Sequence, residues 1–190
     1  MTRAELPLHR RTIIVTAYEE GGGEISVEAE LRDERPWEKP PGGVVHRMVL
    51  AVRVRLADMV IVAAEAGMKD FPHAECPLIT PAFDQLVGLC VTAGYSRAVQ
   101  ERFRGVSGCA HLYELSRALG PAVVQSALSA RNRAAGPASH DPRATARVLN
   151  SCHIWAPDGV GLRKLDAGWV PGPGPRPVPE LGHFQGTTDA

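Results

Sequence analysis

Two stretches of strict alternation constrain this chain more than anything else in it. EISVEAEL at 24–31 sets Ile25, Val27, Ala29 and Leu31 on one face and Glu24, Ser26, Glu28 and Glu30 on the other. VVHRMVLAVRVRL at 44–56 repeats the pattern, with Met48, Leu50, Val52, Val54 and Leu56 apolar while Arg47, Arg53 and Arg55 turn away. A period of two is that of a β-strand, and a one-sided apolar set calls for an antiparallel sheet with one packed face and one wet face. The β-branched RTIIVTA at 11–17 and the turn signal Gly21-Gly22-Gly23 supply the first arm of a hairpin. RPWEKPPGG at 35–43 is a loop by its prolines and glycines, and Ala57-Asp58 offers a tight turn into MVIVAAEAG. The first 66 residues or so therefore predict a meander of four strands.

The period then changes to that of helices. CPLITPAFDQLVGL predicts a proline-started helix from about 80 to 89, and GYSRAVQERFRG a second. From Cys109 onward Leu112, Leu115, Leu119 and Val123 recur every three or four residues, with Ser107 placed to cap and Gly120-Pro121 predicting a kink or break. AAGPASHDPRA reads as a loop. The tail DAGWVPGPGPRPVPELGHFQGTTDA is rich in Pro and Gly and predicts an extended or disordered segment. Strands first and helices second indicate an α+β fold, an antiparallel meander of about four strands with about three helices on one face. The expected organisation is a single domain over 1–165 followed by a tail over 166–190.

Composition excludes some function classes. With 21 basic and 21 acidic residues the formal net charge is zero, so no global field draws in nucleic acid or an anionic membrane. No stretch reaches the 18 or so apolar residues of a membrane span, and MTRAELPLHRR has no apolar segment behind its charges. The expected location is the cytoplasm, where Cys76, Cys90, Cys109 and Cys152 would stay reduced, as free thiols or ligands.

Histidine and cysteine carry the candidate chemistry. GVSGCAHLYEL at 105–115 puts Cys109 and His111 two apart at the start of a helix, where unpaired N–H groups and the helix dipole favour an anion. On a regular helix the two would flank the leucine stripe on opposite margins and could share an ion only if the first turn were irregular. NSCHIWAPDG sets Cys152 and His153 side by side, so that one of them could face a pocket. His46 falls on the apolar face of its strand, where a polar ring must have a partner or border a cavity. Glu65, near the end of the fourth strand, is a candidate general base. His73 and Cys76 have the spacing of half a zinc site but lack a second pair. The glycines of GGG and GPGPRP lie outside any strand–turn–helix context and form neither a phosphate loop nor a dinucleotide fingerprint.

Taken in order, PLHRRT, VVHRMVLAVRV, ECPLITPAFDQLVGL, RGVSGCAHLYEL and NSCHIWAPDG resemble a bacterial family of unknown function, DUF2889, over about residues 6 to 165. The resemblance implies positions rather than a reaction, and those positions are His9, His46, Cys76, Cys109, His111, Cys152 and His153. Many members carry Thr between the Cys and the His, where this chain has Ala110.

Three functions follow as expectations. The first is a small hydrolase or lyase acting on a small organic molecule at zinc or a similar divalent metal, with ligands from His46, Cys109 or His111, and Cys152 or His153. The second is metal-free covalent catalysis by a Cys109 thiolate, with His46 or His153 as acid and base. The third is a non-enzymatic small-molecule-binding or accessory protein. The oligomeric state is open at this level.

Overall fold

The computed structural model describes residues 7–38, 43–135 and 149–166, and the chain divides into two compact units, 1–140 and 141–190. In the first unit, β1 (Arg10–Gly21), β2 (Glu24–Glu34), β3 (Val44–Arg55) and β4 (Val60–Asp70) form one antiparallel sheet in chain order. The β1–β2 turn needs left-handed backbone, with φ of 78° at Gly21, 60° at Gly22 and 80° at Gly23, which glycine adopts without the steric penalty a Cβ would bring.

The register turns the alternation into a ladder. Val15–Ala29–Leu50–Ala66 and Ile13–Leu31–Met48–Met68 are successive rows across the four strands, all on the face toward the helices. Continuing one row further, the same face presents Arg11–Asp33–His46. A period of two leaves no freedom here, because a slip of one residue would turn every apolar side chain to the wet face.

Helices cover the ladder. A 3-10 helix (Cys76–Leu86) follows the sheet, then α1 (Tyr95–Phe103), then α2 (Ala110–Ala135). The expected α-helix over 80–89 begins earlier and is of the tighter 3-10 type, with Pro77 in its first turn and Pro81 inside it, two residues that lack the N–H groups an α-helix would use. Phe83 from this segment stacks on Phe103 of α1 at 4.5 Å between ring centroids, both fully buried. Leu112, Leu115, Leu119, Val123 and Ala127 form the buried stripe of α2 on the sheet.

Of the kink or break expected at Gly120-Pro121, the break does not occur, and α2 runs continuously through both residues. Burial of Leu119 and Val123 on either side outweighs the one backbone hydrogen bond that Pro121 forgoes. Gly120 has a packing reason, since a Cβ there would lie 2.9 Å from Cδ1 and Cε1 of the Tyr95 ring. Tyr95 is itself held by its hydroxyl, which donates to the Ser116 carbonyl at 2.8 Å, and its burial pushes its pKa up. Gly120→Ala, normally stabilising by about 1 kcal/mol in a helix, is therefore expected to destabilise by about 1–3 kcal/mol through overpacking, as read by denaturant unfolding.

The described part of the second unit consists of a 3-10 turn (His153–Trp155) and a short helix, α3 (Val160–Asp166). The Asn150 N–H donates to the Trp155 carbonyl at 2.9 Å and that of Trp155 to the Cys152 carbonyl at 3.0 Å, closing the segment on itself. The expected tail and most of the expected loop before residue 149 lie outside the described residues. Among the described residues, no helix is long and apolar enough to cross a membrane.

Candidate functional site

The polar row of the ladder is the core of the site. Asp33 sits between Arg11 and His46 by strand register, and although its side chain is only 3 % exposed it is a carboxylate. Arg11 meets it with two nitrogens, Nε to Oδ1 at 2.8 Å and a terminal N–H to Oδ2 at 2.7 Å, the bidentate geometry that suits guanidinium to carboxylate. His46 Nδ1 lies 3.4 Å from Oδ2.

The start of α2 adds the third wall. Leu112 and Leu115 dock its first turns on the sheet, and His111 Nε2 thereby comes to 3.2 Å from Asp33 Oδ2. The His46 and His111 rings lie 3.9 Å apart at an interplanar angle of 31°. His9, just before β1, reaches Oδ1 with Nε2 at 3.1 Å. Ligand atoms of Asp33, His46 and His111 all fall within 4.8 Å of one another, a spacing that one cation could span.

Cys109 is outside the helix proper, and its carbonyl accepts the Tyr113 N–H at 2.8 Å, which makes it, rather than Ser107, the residue that precedes the helical turn. That is the irregularity that regular helical spacing would forbid, and it brings Cys109 Sγ to 3.8 Å from His111 Nδ1. The two ring nitrogens of an imidazole point away from each other, so thiol and carboxylate hold His111 from opposite sides.

Five nitrogens thus surround the two oxygens of one carboxylate: Arg11 Nε and a terminal guanidinium nitrogen, His9, His46 and His111. A carboxylate offers about four lone-pair sites, so it cannot accept well from all five. The contacts at 3.2 and 3.4 Å on Oδ2 are long beside the roughly 2.7–2.9 Å of a charge-assisted bond. They lie close to the separation of two donors sharing one tetrahedral ion, roughly 3.3–3.6 Å when each bond is about 2.0–2.2 Å.

The electrostatics agree. Burial pushes the Asp33 carboxyl up, but the Arg11 hydrogen bonds and charge, helped by His111 and His9, outweigh it and hold it below the ordinary carboxylate range. For His111, burial and the neighbouring His46 lower the pKa more than Asp33 raises it. That direction favours the neutral imidazole, the form that has a lone pair to offer.

Of the sequence-derived candidates, His46, Cys109 and His111 come together, and His9 joins them. Asp33 was missed, although it continues the odd-numbered set of Ile25, Val27, Ala29 and Leu31 by one more step. Cys152 and His153 belong to the second unit, where Cys152 precedes the 3-10 turn and His153 opens it. Glu65 stands in the middle of β4 opposite Ala51, on the outer sheet face, where it lines a shallow groove with Glu28, Glu30 and Lys69. This groove is on the face opposite the Asp33 row, so Glu65 is not placed to act as base there. The Cys76 N–H donates to the His73 carbonyl at 3.0 Å, at the start of the first 3-10 helix.

Comparison with known proteins gives one match. A family model described as "Protein of unknown function (DUF2889)" matches residues 9–125, a span that holds His9, Arg11, Asp33, His46, Cys109 and His111 together. No curated protein and no solved structure matches the chain.

Proposed function

The chain belongs to the DUF2889 family, and we propose that it is a divalent-metal hydrolase or lyase for a small organic molecule, with the metal held by Asp33, His46 and His111. One observation carries this reading: the imidazole nitrogens of His46 and His111 converge on one oxygen of a buried carboxylate that Arg11 already occupies. A cation bound there turns both imidazoles from surplus hydrogen-bond donors into lone-pair donors. Two imidazoles and a carboxylate are a borderline nitrogen and oxygen set, suited to zinc, iron(II) or manganese(II). Three protein ligands leave a position for water or substrate, where the metal would acidify the water or polarise a carbonyl.

The remaining residues take supporting roles. Arg11 fixes the plane of the Asp33 carboxylate through its two bonds, and Cys109 orients the His111 ring through Nδ1. Cys109 thus belongs behind a ligand rather than among the ligands.

The test is elemental analysis of the untagged chain, followed by hydrolytic and lyase assays before and after chelation and add-back. One metal per chain, lost in His46→Ala together with activity, is the expected result. A chain that is folded and active after exhaustive chelation would overturn it.

A second reading rests on a separate observation. Cys109 Sγ, His111 and Asp33 form a continuous chain, with 3.8 Å on one side of the ring and 3.2 Å on the other, at the N-terminus of α2. In a metal-free enzyme this is the arrangement in which a neutral imidazole takes the thiol proton and a carboxylate stabilises the imidazolium formed. Activity that survives chelation but is lost in Cys109→Ser would select it. A chain with no metal and no reactive thiol would point to the non-enzymatic binding role.

A further inference from the structure

The sheet has two edges, and they are treated differently. Beside β4 the segment after the first 3-10 helix adds backbone hydrogen bonds: the Gly88 N–H donates to the Ile61 carbonyl at 2.8 Å, that of Ile61 to the Leu89 carbonyl at 3.0 Å, and that of Val91 to the Met59 carbonyl at 2.9 Å. That edge is paired at its start, over residues 59–61. Beside β1, among the described residues, no strand pairs on the side away from β2. β1 is 12 residues long, contains no proline, and has its only irregularity at its end, between Glu19 and Gly21. Sheet edges are commonly guarded by proline, bulges or brevity, and this one uses none of them along its length. It also exposes Ile14 and Tyr18, at 58 % and 52 %.

The sequence of β1, RRTIIVTAYEEG, is charged in opposite senses at its two ends. We propose that β1 pairs antiparallel with β1 of a second copy, with Val15 opposite itself across a two-fold axis. Two independent constraints select that register. Matching faces and hydrogen-bonding groups requires that even residues meet even and odd meet odd. Among such registers, this one alone sets Arg10 opposite Glu20, and it is this pair that carries the charge match, since Arg11 and Glu19, also opposite each other, already pair with Asp33 and Arg133 within their own chain. The Arg10–Glu20 pair falls on the outer face, and neither residue contributes to the Asp33 cluster. On the same face Ile14 comes opposite Thr16 and Tyr18 opposite Thr12, covering the exposed apolar side chains. The two sheets become one of eight strands, with both helix layers on the same side. The occupant is a second copy because its strand carries the complementary charge order, which no partner of uniform charge would match.

Sedimentation velocity of the full-length chain at micromolar concentrations tests the pairing. A dimer is expected, and Arg10→Glu is expected to weaken it on the order of tenfold or more, because symmetry breaks the pair twice. The charge-swapped double variant Arg10→Glu/Glu20→Arg restores the dimer. Val15→Cys gives a symmetric disulfide under mild oxidation, while Thr12→Cys and the wild type do not. A monomer throughout, or a dimer indifferent to Arg10→Glu and without the Val15→Cys cross-link, overturns the proposal. Neither outcome bears on the metal site, since neither reads metal content.

Discussion

Asp33→Ala is expected to have the largest effect of any single substitution in the sheet, removing bound metal and lowering stability by about 3 kcal/mol. The stability loss comes from the groups left behind. Arg11 loses both hydrogen bonds, and the half-buried His46 and His111 face each other with no carboxylate between them. The figure sits at the low end of the range for broken buried pairs because the Arg11 side chain is 41 % exposed and regains water. Asp33→Asn separates the two effects. It keeps the size and one acceptor, so it should recover part of the stability while still failing to hold a divalent ion at wild-type affinity. Denaturant unfolding of chelated protein reads the first quantity and metal titration the second. An Asp33→Asn protein with wild-type metal affinity would remove the carboxylate from the ligand set.

His111→Ala and Cys109→Ala are expected to differ sharply in metal titration. His111 supplies a donor directly, and without it only Asp33 and His46 remain of the three-residue set, too few for stoichiometric binding. Cys109 acts through the far nitrogen of the ring, and removing a partner of that kind weakens affinity on the order of 10–100-fold without abolishing binding. If Cys109→Ala lost metal as completely as His111→Ala, the thiol would be a ligand. If neither changed metal content but Cys109→Ala alone abolished activity, the thiol–imidazole–carboxylate chain would become the better account.

Some of this site could be read from the residues. His46 on an apolar strand face asked for a partner, and the partner, Asp33, stands directly across the β2–β3 ladder. It was legible in principle, since the inward positions of β2 run Ile25, Val27, Ala29, Leu31 and then Asp33, but a carboxylate ends an apolar pattern and so marks itself as a strand end. Cys109 and His111 were visible as a pair, yet regular helical spacing turned them apart. Only the position of Cys109 just ahead of the helix proper brings the thiol back to the ring.

Alternation by itself determined β2, β3 and their inward faces, because a period of two tolerates no slip when one face is buried. In contrast, β1 and β4 followed from β-branched content and turn signals, and the row Arg11–Asp33–His46 came only from the strand register. The helical stretches were less determined. Two prolines made a 3-10 segment of one expected α-helix, while the predicted break at Pro121 was overridden by burial of its neighbours. Which polar group of α2 would meet the sheet row was decided only in three dimensions. His111 lies 78 residues beyond Asp33, and no local rule links them. What joins them is the docking of Leu112, Leu115 and Leu119 on the apolar ladder, which sets where the helix begins over the sheet and so where its first histidine falls.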